Sequence, residues 1–225
     1  DFIKVLASGG GTPGSLSHYP SFSLEELRVI VDTAHSLGLP VGLHCIATEA
    51  ISNAIKAGAD VIEHALFMET DGRPRLDERV AEELAESGIP VTTTMQVARD
   101  IQDLRPGDVD LDRWRHMFEA DYEIKARLRA LGVTLLPGSD AGWRVTPFDT
   151  FWKELDELVK IGMSPVEAIH AATGRAARVL GIADQVGTIQ AGKLADLVVV
   201  AGEVSRDIRC LQNVQTVFQS GTRVQ

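Results

Sequence analysis

The chain has 225 residues, 44% hydrophobic and 24% charged, with 22 Lys and Arg against 32 Asp and Glu for a net charge of −10. That acidity argues against nucleic acid or an anionic membrane surface as a partner, and no apolar run is long enough to span a bilayer. Two distant cysteines, Cys45 and Cys210, give no disulfide framework, and the length suits one domain, or one domain plus an appendage.

Phe2 to Ala7, F-I-K-V-L-A, reads as a buried strand with Phe2, Lys4 and Leu6 on one face and Ile3 and Val5 on the other. A lysine inside an apolar strand must reach the rim, lose its proton or find a partner. Ser8 to Ser15 is a glycine-rich loop without the spacing or terminal Lys of a phosphate-binding loop. Ser23-Leu24-Glu25-Glu26 is a capping box opening a helix, with Leu27, Ile30, Val31, Ala34 and Leu37 inward. Pro40 to His64 then reads as strand, helix, strand: Val41–Cys45, Glu49–Ala57 closed by Gly58, and Val61–His64. Parallel strands joined by a helix bring their C-terminal ends side by side, which places His44 and His64 at one rim. A lone histidine there is usually a hydrogen-bonded structural residue. Two at matched strand exits point towards a metal site.

Glycines punctuate the chain that follows. Gly38, Gly58, Gly88 and Gly132 each end a helical pattern and precede a strand-length apolar run. Five strands alternating with helices predict an α/β fold on a parallel sheet. Thr94 to Asp112 reads as a long polar connection, and Asp112 to Ala130 as a helix with Trp114, Met117, Tyr122 and Leu128 inward. Thr146-Pro147 and Ser164-Pro165 look like helix starts, the second helix running to Gly181. Gly187-Thr188-Ile189 leads to short strands at Ala195–Val200, Val214–Gln219 and Thr222–Gln225, separated by turns. The fifth strand ends in L-P-G-S-D-A-G, and Asp140 within it is either a turn residue or a carboxylate able to bind a metal and accept a proton. A neutral Lys4 can react with carbon dioxide to give a carbamate, an anionic oxygen ligand.

Taken together, these motifs resemble the amidohydrolase superfamily, in its branch of imidazolonepropionase-like and Xaa-Pro-dipeptidase-like enzymes. D-F-I-K-V-L-A-S-G-G-G resembles the fourth barrel strand, with Lys4 as its carboxylated lysine. L-H-C and I-E-H resemble strands five and six with ligands His44 and His64, and G-S-D-A-G resembles strand eight with the catalytic aspartate, Asp140. The tail G-T-I-Q-A-G-K-L-A-D-L-V-V-V is similar to the family's return into a β-sandwich. The implied fold is part of a (β/α)8 barrel over residues 1–183 followed by sandwich strands over 184–225. The implied cofactors are zinc, two ions in the complete enzyme, and the carbon dioxide-derived carbamate on Lys4.

The family's His-x-His motif on the first strand has no counterpart here. The expectation is therefore the C-terminal part of a longer enzyme, completed by an N-terminal barrel half from the same polypeptide or a partner chain, with homo-oligomers also open. Phe2, Leu6, Ile62 and Leu136 would line the closed barrel by alternation. The implied reaction is hydrolysis of amide bonds in dipeptides or small cyclic amides, a metal-bridging hydroxide attacking the carbonyl and Asp140 passing the proton to the leaving nitrogen. Arg144, four residues beyond Asp140, either sits on the surface or meets a substrate carboxylate. The alternatives are a phosphotriesterase- or lactonase-like hydrolase on the same cluster, or an inactive fragment. A cytoplasmic location is expected, although a chain starting at Asp1 leaves a preceding signal segment open.

Overall fold

A computed structural model describes residues 1–11, 14–102, 111–142 and 146–225. The chain runs β1 (Ile3–Leu6), α1 (Leu24–Ser36), β2 (Val41–Ala47), α2 (Thr48–Ala57), β3 (Val61–Met68), α3 (Glu78–Ser87), β4 (Val91–Thr92), α4 (Gln96–Gln102), α5 (Leu111–Ala130) and β5 (Leu135–Leu136). These strands form one sheet in sequence order, β1 to β5, and the pairings from β1 to β4 are all parallel. This is the α/β architecture that the glycine punctuation predicts. Two compact units divide the chain, Asp1–Leu135 and Leu136–Gln225.

In the first unit, α1 is fixed by its capping box. Glu26 donates its N–H to Ser23 Oγ at 3.3 Å, and Ser23 returns its own N–H to the Glu26 carboxylate at 2.8 Å. Leu27, Val31 and Ala34 are buried at helical spacing, whereas Leu37, expected inside, lies beyond the last turn and is 71% exposed. Gly58 closes α2 with φ 80°, a left-handed conformation that a Cβ would strain.

Register defines the two faces of the sheet. Lys4 pairs with Gly42, Leu6 with His44, and Leu43 with Ile62. Phe2, Lys4, Leu6, Gly42 and His44 therefore share one face, on which Phe2 and Leu6 are 58% and 60% exposed. Val41, Leu43, Cys45 and Ile62 are fully buried, on the opposite face by alternation. Ile62 thus departs from the expectation that it lines the same face as Phe2 and Leu6, because it is the register partner of Leu43.

The connection after Thr94 is not all loop: α4 occupies its first part, and residues 103–110 lie outside the described residues.

The second unit contains α6 (Trp152–Lys160), α7 (Pro165–His170), a π-helical turn (Ala171–Arg175), α8 (Ala176–Val179), a 3₁₀ turn (Ile208–Gln212), and β6 (Leu197–Val200), β7 (Val214–Gln219) and β8 (Thr222–Arg223). The last three form an antiparallel sheet. The Ser164 capping box forms as predicted, with Glu167 N–H on Ser164 Oγ at 3.2 Å and Ser164 N–H on Glu167 at 2.7 Å. The helix it opens continues through the π turn to Val179, two residues short of the expected Gly181. The start expected at Thr146 does not form: Phe148 and Asp149 make a turn, across which Thr150 Oγ1 donates to the Pro147 carbonyl at 3.1 Å. The helix begins only at Trp152. Among the described residues, no helix is long and apolar enough to cross a membrane.

Candidate metal centre

The pairing of β2 with β3 is regular as far as Cys45 opposite His64, and then it slips. Ala47 pairs with Met68, so β2 advances two residues (45 to 47) while β3 advances four (64 to 68). His64, Ala65 and Phe67 have φ of 68°, 50° and 51°, a left-handed region costing non-glycine residues roughly 1–3 kcal/mol each. Such a bulge frees backbone groups from the ladder, and buried ones need other partners. Ile46 and Ala47 donate their N–H groups to Ser8 Oγ at 2.8 and 3.4 Å. The Phe67 carbonyl accepts from Arg75 N–H at 3.0 Å, and the Ala65 carbonyl from Lys125 Nζ at 3.1 Å.

The slip re-aims His64. As the partner of Cys45 in a regular ladder, it would point to the face opposite His44. Instead the two imidazoles meet edge to face, their centroids 4.4 Å apart and their planes at 71°. The strands continue past both histidines to Ala47 and Met68, so the meeting comes from the bulge rather than from strand ends. Thr94 Oγ1 lies 2.8 Å from His64 Nδ1 and ties that nitrogen. His44 Nε2 is 3.4 Å from the Gly9 carbonyl. A Cβ at Gly10 would come within 3.1 Å of His44 Cε1 and 3.2 Å of Nε2, so a side chain there would press on this ring by a few tenths of an ångström.

Burial holds the pKa of His64 well below its ordinary 6.5, with His44, Lys4 and Lys125 adding in the same direction. The ring is therefore neutral at pH 7, the form that ligates metals. Burial also pushes the Cys45 thiol up, against a smaller opposing pull from Lys4, which keeps it out of the thiolate form a metal needs. Lys4 has found a partner: its Nζ pairs with the Glu63 carboxylate, the two side chains being 39% and 23% exposed.

Two converging imidazoles, one of them neutral through burial, and a lysine able to carry a carboxylate fit a divalent ion in donor chemistry. Among the described residues, no group of three His, Cys, Asp or Glu side chains could hold a metal. Asp140 belongs to the second unit, exposed with φ 51°, four residues past Leu136. Arg144 lies outside the described residues. Sequence reasoning passed over Ser8, Glu63, Thr94 and Lys125. Glu63, adjacent to His64 in I-E-H, and Ser8, in D-F-I-K-V-L-A-S-G-G-G, stood within motifs without being singled out.

The profile of the amidohydrolase family matches residues 1–224, and the chain belongs to that family. It is similar to the ochratoxinase of Aspergillus niger, 32% identical over 221 residues that cover 96% of this chain and 44% of the relative. It is also similar to the imidazolonepropionase of Mesorhizobium japonicum, 29% identical over 80% of this chain and 39% of the relative. Among solved structures, a Xaa-Pro dipeptidase with methionine bound in its active site superposes with a TM-score of 0.87 at 30% identity, covering all of this chain and 54% of that one. The chain thus spans about half the length of the relatives it matches.

Proposed function

We infer that this chain is the C-terminal portion of a metal-dependent hydrolase of amide bonds, acting on dipeptides or small cyclic amides. The observation that carries the reading is the register slip that turns His64 onto His44 in a member of the amidohydrolase family. His44, His64, Lys4 as its carbamate and Asp140 would hold zinc, two ions in the complete enzyme. A bound divalent ion supplies Lewis acidity towards the amide carbonyl and acidifies water.

The chain's own groups do the rest. Thr94 fixes one nitrogen of His64, so that the other is the one available. Asp140 takes a proton from the attacking water on its carboxylate and returns it to the departing nitrogen. Arg144 pairs with a substrate carboxylate. Lys4 must leave Glu63 and lose its proton before its nitrogen adds to carbon dioxide, forming an N–C bond and releasing one proton. Residues 1–183 belong to the barrel and 184–225 to the sandwich, with the remaining barrel strands supplied by the same polypeptide or a partner.

Lys4→Ala in the full-length protein tests this reading. Metal content and amide hydrolysis should both fall, and acetate or bicarbonate should restore part of each. Unchanged zinc and turnover would rule the carbamate out. Hydrolysis of lactones or phosphotriesters without any hydrolysis of amides would overturn the substrate class.

A further inference from the structure

Lys125 is the only lysine or arginine buried among the described residues, its side chain 1% exposed. Such a head group is costly to bury unless it is paired and hydrogen-bonded. Its Nζ donates to Asp121 Oδ1, one helical turn earlier on α5, at 2.5 Å. The same Nζ donates to the Ala65 carbonyl of β3 at 3.1 Å. Neither bond belongs to the donor set of the metal site, yet Ala65 is the second residue of the left-handed stretch that begins at His64. Its carbonyl sits where the β2–β3 ladder slips, and a buried acceptor at such a place is expensive to leave without a donor.

We propose that Lys125, oriented by Asp121, is a positioning residue for His64: its bond to the Ala65 carbonyl holds the left-handed turn that presents the His64 imidazole to His44. Without that donor, the left-handed conformation loses what offsets its strain. A regular strand, with His64 directed to the face of Cys45, then competes with it. The effect on metal binding rests on the reading of His44 and His64 as ligands, whereas the effect on ring geometry does not.

The experiment compares full-length wild type with Lys125→Met, Asp121→Asn and Leu128→Ala, the last a fully buried control on the same helix. Three quantities are read: the nuclear Overhauser effect between the His44 and His64 rings in metal-free protein, zinc affinity by chelator competition, and thermal stability. Lys125→Met should abolish the ring-to-ring signal and weaken zinc binding by roughly ten- to hundredfold, as loss of outer-shell support does elsewhere. Asp121→Asn should do the same to a lesser degree. Leu128→Ala should lower thermal stability with the ring signal and zinc affinity intact. A folded Lys125→Met protein with wild-type ring signal and zinc affinity overturns the proposal, and so does Leu128→Ala if it erases the ring signal equally. Should Lys125→Met not fold, wild-type behaviour of Asp121→Asn overturns it. If wild type itself takes up no zinc, the metal reading fails, and the ring signal alone decides the role of Lys125.

Discussion

His64 combines a left-handed backbone with a buried, neutral ring, and that has a cost in acid. The unfolded chain takes up a proton on this histidine near pH 6.5, whereas the folded protein resists it until well below that value. Acid therefore favours the unfolded form. The stability is whole above 6.5 and falls as the pH drops from there towards the lower folded value, by up to about 1.4 kcal/mol per pH unit. Metal-free full-length protein should show this loss in urea unfolding below pH 6.5, and His64→Gln should remove that part of the pH dependence. Equal pH dependence in the two proteins would contradict the neutral buried ring. Both histidines were legible because an apolar run broken by an imidazole stands out in L-H-C and I-E-H. Lys125 was not, because a lysine in a charged helical stretch reads as solvated, and only the neighbouring β3 shows where its head group goes.

At the scale of elements, β2 and β3 were legible in order and direction. Each glycine ends a helix just before an apolar run, and parallel pairing through a helical crossover follows from that rhythm. The slip between them was hidden, since no glycine marks it: the left-handed residues are His64, Ala65 and Phe67. It depends on groups distant in the chain, and Ser8 carries the largest share on the β2 side. Its hydroxyl is fully buried and accepts from Ile46 and Ala47. Ser8→Ala should leave those N–H groups without their acceptor and destabilise the protein by about 1–3 kcal/mol. Denaturant titration would show this as a lower midpoint at unchanged slope, and a midpoint equal to wild type would mean the slip stands without Ser8.

For the molecule as a whole, the face bearing Phe2, Lys4 and Leu6 is open, and β1 and β5 stand at the two ends of their sheet. Burying an exposed Phe or Leu side chain completely is worth roughly 1.5–3 kcal/mol, a large share of a domain's net stability of about 5–15 kcal/mol. A polypeptide of residues 1–225 expressed alone should be marginally stable, self-associating and poor at retaining zinc beside the full-length protein. Light scattering, thermal unfolding and metal analysis read these directly. A monomer that unfolds cooperatively and carries two zinc ions would show that no further strands are needed. The overall class of fold was readable because it rests on periodicity and punctuation, which are local. The openness of the Phe2 face was readable in part, and Ile62 was misplaced because its face depends on the register with Leu43, a relation between strands.

The pairing of Lys4 with Glu63 reaches from β1 to β3, over the middle strand, and it crosses at Gly42, the one position on that path with no side chain. A Cβ there would lie 3.5 Å from the Glu63 carboxylate. β1 is a four-residue strand at the end of its sheet, the kind most easily threaded one step out of place, and a single step would exchange its two faces. Lys4 would then be pressed towards the helices and Glu63 left facing no cation. The tie therefore goes with one register of β1: the alignment that brings the lysine to the face of the two imidazoles is the one that also lets it reach the third strand.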